Sequence, residues 1–305
     1  MANPSHVDRP LLGVMLRITS ASLFAFMSAL VKVASTRGVT MPEIIFYRNA
    51  LALPVVASWI TLGPGWTAIR TRRPMAHLTR GAIGLTSMLL TFGALALLPL
   101  SEATTLSYAA PIVATILSAI VLREQTGWHR WLAVLIGFVG VVMVIRPGHS
   151  HGLPPFGIAV GVGSALVLGA VMITLRQIGR TEHIAAIVWW FTLLGTVFGA
   201  AMLPFFGRHH DATTYGFLIL SGLIGGGSQL TMTASLRFAP VATVVPFDYI
   251  QILWATLFGW LIFGSSPLLS TLFGAVLIAG SGIYTAYRER LRGKVPTQAI
   301  APPES

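Results

Sequence analysis

Ten stretches of predominantly apolar residues, each close to the roughly 20 needed to cross a bilayer core, divide this 305-residue chain almost end to end. They cover residues 11–34, 43–62, 78–98, 102–122, 128–145, 156–175, 184–205, 214–236, 241–263 and 269–287. The cuts fall at turn chemistry such as Gly63-Pro64-Gly65, Arg146-Pro147-Gly148 and Gly264-Ser265-Ser266-Pro267, where helices stop. The fifth stretch is the weakest, free of charge only between Arg130 and Arg146. The pattern predicts an all-α integral membrane protein of ten transmembrane helices. Charged residues make up 10% of the chain, against about a quarter in an ordinary soluble domain.

A net charge of +11 would suit a nucleic-acid binder, but the charges sit between the apolar runs and leave no soluble domain to carry a basic groove. Their distribution sets a direction instead. With both termini cytoplasmic, fifteen of the 20 Lys and Arg fall on the inner side, Arg17 and Arg80 among them. Lys32, Arg37, Arg146 and Arg208 fall outside, and Arg48 lies within the second stretch. Cysteine is absent, which excludes disulfides, thiolate metal sites and thiol nucleophiles. The first stretch is longer than a signal-peptide core and lacks a convincing cleavage site, so it reads as a retained helix.

Laying residues 81–124 over 222–265 without a gap matches Gly81 with Gly222, Ile83 with Ile224, Gly84 with Gly225, Ser87 with Ser228, Pro99 with Pro240 and Tyr108 with Tyr249. Matches on Gly, Ser, Pro and Tyr point to duplication rather than to shared apolar composition. Five helices per half require the second half to enter the membrane from the opposite side, giving two inverted repeats. Arg123-Glu124 in the first half faces Gly264-Ser265 in the second, so the basic turn is lost where inversion places it outside. The expected organisation is a cytoplasmic tail over 1–10, a first repeat over 11–145, an external connection over 146–155, a second repeat over 156–287, and a basic then flexible cytoplasmic tail over 288–305.

Ten helices in two such repeats, with Pro99-Leu-Ser-Glu-Ala-Thr-Thr-Leu-Ser-Tyr-Ala-Ala-Pro111 leading to Leu122-Arg-Glu124 and Gly137-Phe-Val-Gly140, resemble the EamA-type permeases of the drug/metabolite transporter superfamily. The stretch from Ala29-Leu-Val-Lys32 through Pro42-Glu43 and Phe46-Tyr-Arg48 resembles the branch that includes S-adenosylmethionine uptake permeases. The resemblance implies a basket of helices around a central cavity, the fourth helix of each repeat near the pathway and the fifth and tenth peripheral. The second half departs from the pattern, with Ser265 and Ser266 where a glutamate often follows the fourth helix.

Asp248 is the outlier among the residues, since an aspartate at the bilayer centre costs about 2.5–3.5 kcal/mol on insertion scales. It is expected to face a cavity, as a cation site or proton acceptor, or to pair with a basic or amide group such as Gln229. Arg48 is placed to fork onto a substrate carboxylate. Glu43 and Lys32 near it either form an outer gate or, more simply, cap a helix N-terminus and snorkel to the surface. Glu102 after Ser101 reads as ordinary first-turn chemistry. Pro111 should kink the fourth helix, and Tyr108 and Tyr249 are candidates to stack on a flat substrate or simply to pack. Gly222, Gly225, Gly226 and Gly227 suit close helix approach. His149-Ser-His151 and His209-His210-Asp211 lack a clear third ligand, so no metal is assigned.

A membrane enzyme would need clustered acids, an His-Glu-x-x-His helix or a nucleophile with a base. None of these patterns occurs, and the chain is not expected to be an enzyme. A channel would also fit the apolar runs, and so would an exporter of amino acids, other metabolites or drugs. The expected function is a permease of the inner membrane acting by alternating access on a small polar or zwitterionic metabolite, S-adenosylmethionine being the leading choice. Its partners are that substrate and the bilayer, with no cofactor or nucleic acid, and a homodimer as the assembly to consider.

Overall fold

A computed structural model describes residues 10–121, 128–145, 153–179, 181–238, 244–265 and 267–292. Its helices are α1 (Pro10–Thr36), α2 (Met41–Leu62), α3 (Pro74–Leu97), α4 (Leu100–Ser107), α5 (Ala110–Val121), α6 (Trp128–Ile145), α7 (Pro155–Ile178), α8 (Ile184–Phe206), α9 (Ala212–Phe238), α10 (Ile250–Phe263) and α11 (Leu269–Arg292). Short 3-10 turns occupy Trp66–Ile69 and Val245–Tyr249. Among the described residues seven segments are long and apolar enough to cross a membrane, Leu100–Leu117 counting as one, and three shorter apolar helices complete ten crossings. The motifs Arg123-Glu124 and His149-Ser-His151 lie outside the described residues.

Two expected spans are broken. The fourth splits into α4 and α5 at Tyr108-Ala109, because Pro111 has no N–H to return to the carbonyl of Ser107. The ninth, expected over 241–263, is interrupted by the 3-10 turn Val245–Tyr249 that carries Asp248, and regular helix runs from Ile250 to Phe263. Helix starts elsewhere follow local chemistry. Pro42, Pro74 and Pro155 stand in first turns, where the missing N–H costs nothing. At the start of α2 the Glu43 carboxylate accepts from the Thr40 N–H at 2.7 Å and from its hydroxyl at 2.9 Å.

The packing obeys the duplication. Helix α1 lies on α9 and α3 on α7, while α2 pairs with α8 and α6 with α11. Exchanging repeats sends α1 to α7, α2 to α8, α3 to α9 and α6 to α11, so the first two pairs map onto each other and the last two onto themselves. This is a pseudo-two-fold axis. Because each repeat crosses an odd number of times, the axis lies in the membrane plane and the repeats are inverted. The α1–α9 seam is fastened by reciprocal bonds, Ser20 Oγ to the Ser228 carbonyl at 2.8 Å and Ser228 Oγ to the Ser20 carbonyl at 3.0 Å.

Both faces of the bundle carry a related buried pair. On the face where α1 begins, His77 in the first turn of α3 meets Glu182 just before α8 at 3.2 Å. On the opposite face, His210 just before α9 meets Glu43 in the first turn of α2 at 3.0 Å. Each pair joins the start of a third-type helix to the start of a second-type helix. The main apolar core, with Met27, Ile44, Ile45, Leu98, Leu106 and Leu218, fills the half toward the opposite face. Large apolar side chains such as Leu135, Phe138, Leu269 and Phe273 point outward from α6 and α11, where lipid supplies the apolar contact that water would not.

Helices α6 and α11 cross at glycines. A Cβ on Gly140 would lie 2.8 Å from the Gly274 carbonyl oxygen, and one on Gly274 would lie 2.6 Å from that of Gly140. Gly140→Val and Gly274→Val should each lower the thermal midpoint of the purified protein, overpacking of this kind costing about 1–3 kcal/mol. Gly280→Val, with nothing within 4 Å, should leave it unchanged. Equal shifts for all three would show that the crossing is not tight.

Candidate functional site

The two broken spans meet at the centre. Tyr108 at the break in the fourth span and its repeat equivalent Tyr249 have ring centroids 5.1 Å apart at an interplanar angle of 43°. A residue that touches its own symmetry equivalent lies on the axis, so the axis passes between these rings. Around them is a cavity of about 350 Å³, within the size range of small-molecule sites. The repeat equivalents Ser87 and Ser228 both line it, as do Arg48, Gln229, Asp248 and both tyrosines. It lies on the side of the apolar core nearer the face where α1 begins.

Asp248 is paired. Arg17, two turns into α1, donates through Nε and Nη2 to the two carboxylate oxygens of Asp248. Both groups line the cavity, and this fork accounts for an acid at membrane depth. The partner is a guanidinium and not the amide of Gln229. The Tyr108 hydroxyl donates to the Asp248 carbonyl at 2.8 Å, which ties the two breaks together and fills hydrogen-bonding capacity that the turn leaves open.

Two further arginines face the cavity, and among the described residues neither has a carboxylate partner. Arg48, on α2, directs Nε at the Met27 sulfur and Nη1 at the Met88 sulfur, each at 3.4 Å. Thioether sulfur is a weak acceptor. The same guanidinium lies 5.7 Å from the Phe92 ring centroid. Arg80, on α3, lies 4.6 Å from the Phe191 centroid, and its Nε and Nη1 are buried with no hydrogen-bond partner. Gly84 makes this placement possible, since a Cβ there would collide with Arg80 Nη1 and come within 2.6 Å of Phe191.

The remaining expected residues lie elsewhere. Lys32 and Glu43 do not line the cavity. Lys32 is buried, and instead of snorkelling it donates to the carbonyls of Leu98 at 2.6 Å and Ala96 at 3.3 Å, where the end of α3 leaves acceptors free. Glu43 takes the Arg208 N–H at 2.8 Å besides Thr40 and His210, so it fastens α2 to the α8–α9 connection. Glu102 is buried and accepts from Ser101 at 2.6 Å and from Thr271 of α11 at 3.2 Å. Asp211 caps α9, and the hydroxyl and N–H of Thr214 hold its carboxyl below the usual range. Gly222 and Gly226 let α9 approach α2.

Sequence reasoning missed Arg17 and Arg80 as cavity residues by counting them with the loop charges. The available signal was depth, since both fall inside the apolar stretches 11–34 and 78–98 rather than between them. In a bilayer such a position marks a cavity or a partner.

The profile of the EamA-like transporter family matches residues 11–146 and 155–287. Among similar proteins, the pseudopaline exporter CntI of Pseudomonas aeruginosa is 26% identical over 87% of this chain and 93% of that protein. A riboflavin transporter of Vibrio cholerae is 27% identical over 88% and 91%. An S-adenosylmethionine uptake transporter of Rickettsia bellii is 25% identical over 80% and 82%. A solved crystal structure superposes with a TM-score of 0.63 at 18% identity, covering 92% of this chain and 98% of that one, which supports the fold alone.

The Arg17–Asp248 fork carries its own test. Asp248→Asn should strand a buried guanidinium and destabilise the protein by about 3–5 kcal/mol, whereas Arg17→Gln with Asp248→Asn should recover much of the loss. Thermal unfolding of the single and double variants measures this. A double variant no more stable than Asp248→Asn alone would show that the two groups do not act as a pair.

Proposed function

Because the chain belongs to the EamA-like transporter family, we propose that it is a secondary permease carrying a small, polar, carboxylate-bearing metabolite across the inner membrane by alternating access. The observation that carries this reading is Arg48. It is a half-buried guanidinium on the wall of the axial cavity that, among the described residues, directs its hydrogen bonds at two thioether sulfurs and lies near an aromatic ring, and a carboxylate would satisfy it bidentately. Relatives named as transporters of small molecules support transport rather than catalysis.

S-adenosylmethionine is supported by the Rickettsia relative. It would place its carboxylate on Arg48 and its ring against Tyr108 or Tyr249. Its positive centres require Asp248, however, and Arg17 already occupies both oxygens of that carboxylate. Binding as an amphoteric cation therefore demands that the fork open. An acid demands no such rearrangement.

For orientation we read both termini as cytoplasmic. Taking Arg17 and Arg80 from the fifteen inner charges and buried Lys32 from the four outer ones leaves thirteen against three, so the bias survives. The cavity then lies toward the cytoplasmic side of the apolar core, as in a carrier closed on the outside.

Since no native cysteine interferes, Thr71→Cys and Ser265→Cys can be labelled singly. An impermeant thiol reagent applied to intact cells should mark Ser265→Cys and spare Thr71→Cys, and the reverse would invert the topology. In proteoliposomes, counterflow should accumulate a labelled carboxylated metabolite, and Arg48→Gln should slow it at least tenfold while leaving amide analogues unaffected. Exchange confined to uncharged lipophilic compounds would overturn the reading in favour of drug export.

A further inference from the structure

We infer that the cavity selects a metabolite with two separate acid groups, one held by Arg48 and the other by Arg80. The inference rests on the cavity being the substrate site, and it goes further by fixing the charge and span of the ligand.

Charge is the first argument. Among the described residues the lining includes three guanidinium groups, Arg17, Arg48 and Arg80, and a single carboxylate, Asp248. Arg17 and Asp248 neutralise each other through their fork. Two positive charges are left over in a space walled mainly by apolar side chains. A buried unpaired charge is strongly unfavourable, and a cation–π contact offsets only part of that. Arg80 shows the deficit most directly. It is 9% exposed, and its Nε and Nη1 make no hydrogen bond. A ligand bringing two negative charges removes the imbalance, whereas a cation increases it.

Spacing is the second argument. Arg80 extends along α3 so that Nη1 occupies the place a Cβ on Gly84 would take. Arg48 reaches the same helix one turn further on, with Nη1 at the Met88 sulfur. Positions 84 and 88 are successive turns, about 6 Å apart along the axis. The Met88 side chain leans back toward the start of the helix, so the two guanidinium groups are no further apart along the axis than that. This matches the carboxyl groups of an extended four- or five-carbon diacid. A phosphate monoester concentrates both charges on one group, which would have to bridge both guanidinium groups at once instead of giving each its own acid. Ser87, on the α3 face between these turns and also on the cavity wall, offers a hydroxyl to either acid group.

The test uses the full chain in nanodiscs of zwitterionic lipid, with succinate, glutarate, monomethyl succinate, glycerol 3-phosphate and alanine as probes in calorimetric binding. The wild-type protein should bind succinate or glutarate at least tenfold more tightly than the monomethyl ester, and more tightly than glycerol 3-phosphate. Arg80→Gln should abolish the difference between diacid and monoester, and Arg80→Lys should retain part of it. Equal affinity for diacid and monoester in the wild type, or equal loss for both in Arg80→Gln, would overturn the inference. Tighter binding of glycerol 3-phosphate than of either diacid would overturn the arrangement of two separate groups. Binding of alanine or the monoester as tight as that of the diacids, dependent on Arg48 and with no ligand affected by Arg80→Gln, would refute the diacid while sustaining the carboxylate permease. Failure of every carboxylate, with exchange of uncharged compounds in liposomes, would instead refute the carboxylate permease itself in favour of drug export.

Discussion

The contact between Tyr108 and Tyr249 fixes the rest of the architecture. Two equivalent residues of an inverted repeat can touch only on the axis that relates them, so this contact places the axis, and with it the cavity, at the breaks in the fourth and ninth spans. The breaks are tolerable for the same reason. A bilayer forbids irregular backbone against lipid, but not where it is enclosed by protein or lines a polar space. Here the Tyr108 hydroxyl binds the Asp248 carbonyl across the axis. The helices that tolerate interruption are those that the packing brings to the centre, while α6 and α11, crossing at Gly140 and Gly274, stand outside with uninterrupted apolar surfaces.

The charges follow a similar rule of placement. Lys32 satisfies carbonyls at the end of α3, Glu43 and Glu182 meet histidines, and Asp248 meets Arg17. Each of these buried groups has a structural use and a partner within hydrogen-bond reach. Arg48 and Arg80 stand apart from them, and both face the cavity. In a medium where unpaired charge is so unfavourable, two such groups on one wall say more about a ligand than any number of satisfied pairs.

Much of this was legible in the sequence. The apolar runs gave the crossings to within a few residues, because each must match a fixed hydrocarbon thickness. The ungapped shift of 141 residues found Tyr108 with Tyr249 and Ser87 with Ser228, pairs that line one cavity. Arg48 and Asp248 stood out because a charge deep in an apolar stretch is conspicuous. Arg17 and Arg80 were less conspicuous, since they fall inside their apolar stretches but within two turns of the expected inner end, where depth is a weaker signal beside the basic loop charges. The partner of Asp248 is 231 positions away, and no local pattern encodes such a meeting. The His–Glu pairs escaped for another reason. Glu43 and Glu182, or His77 and His210, are not related by the 141-residue shift, so only the packing of their helices shows that they correspond.

Those two pairs bear on how a carrier of this design could work. In an inverted repeat the state open to one side is converted to the other by exchanging the conformations of the halves, and the two states need comparable free energies for either to be populated. Equivalent fastenings at both faces suit that requirement, because breaking one is matched by what the other retains. The faces are nevertheless unequal. The apolar core with Ile44, Leu98 and Leu218 reinforces the face of Glu43 and His210, whereas the side of His77 and Glu182 adjoins the cavity, where Arg48 and Arg80 have no carboxylate partner among the described residues. A ligand that neutralised them would remove the electrostatic penalty of drawing α2 and α3 together around it. Closure would then follow occupancy, since an empty cavity would have to bring two positive charges closer with nothing between them.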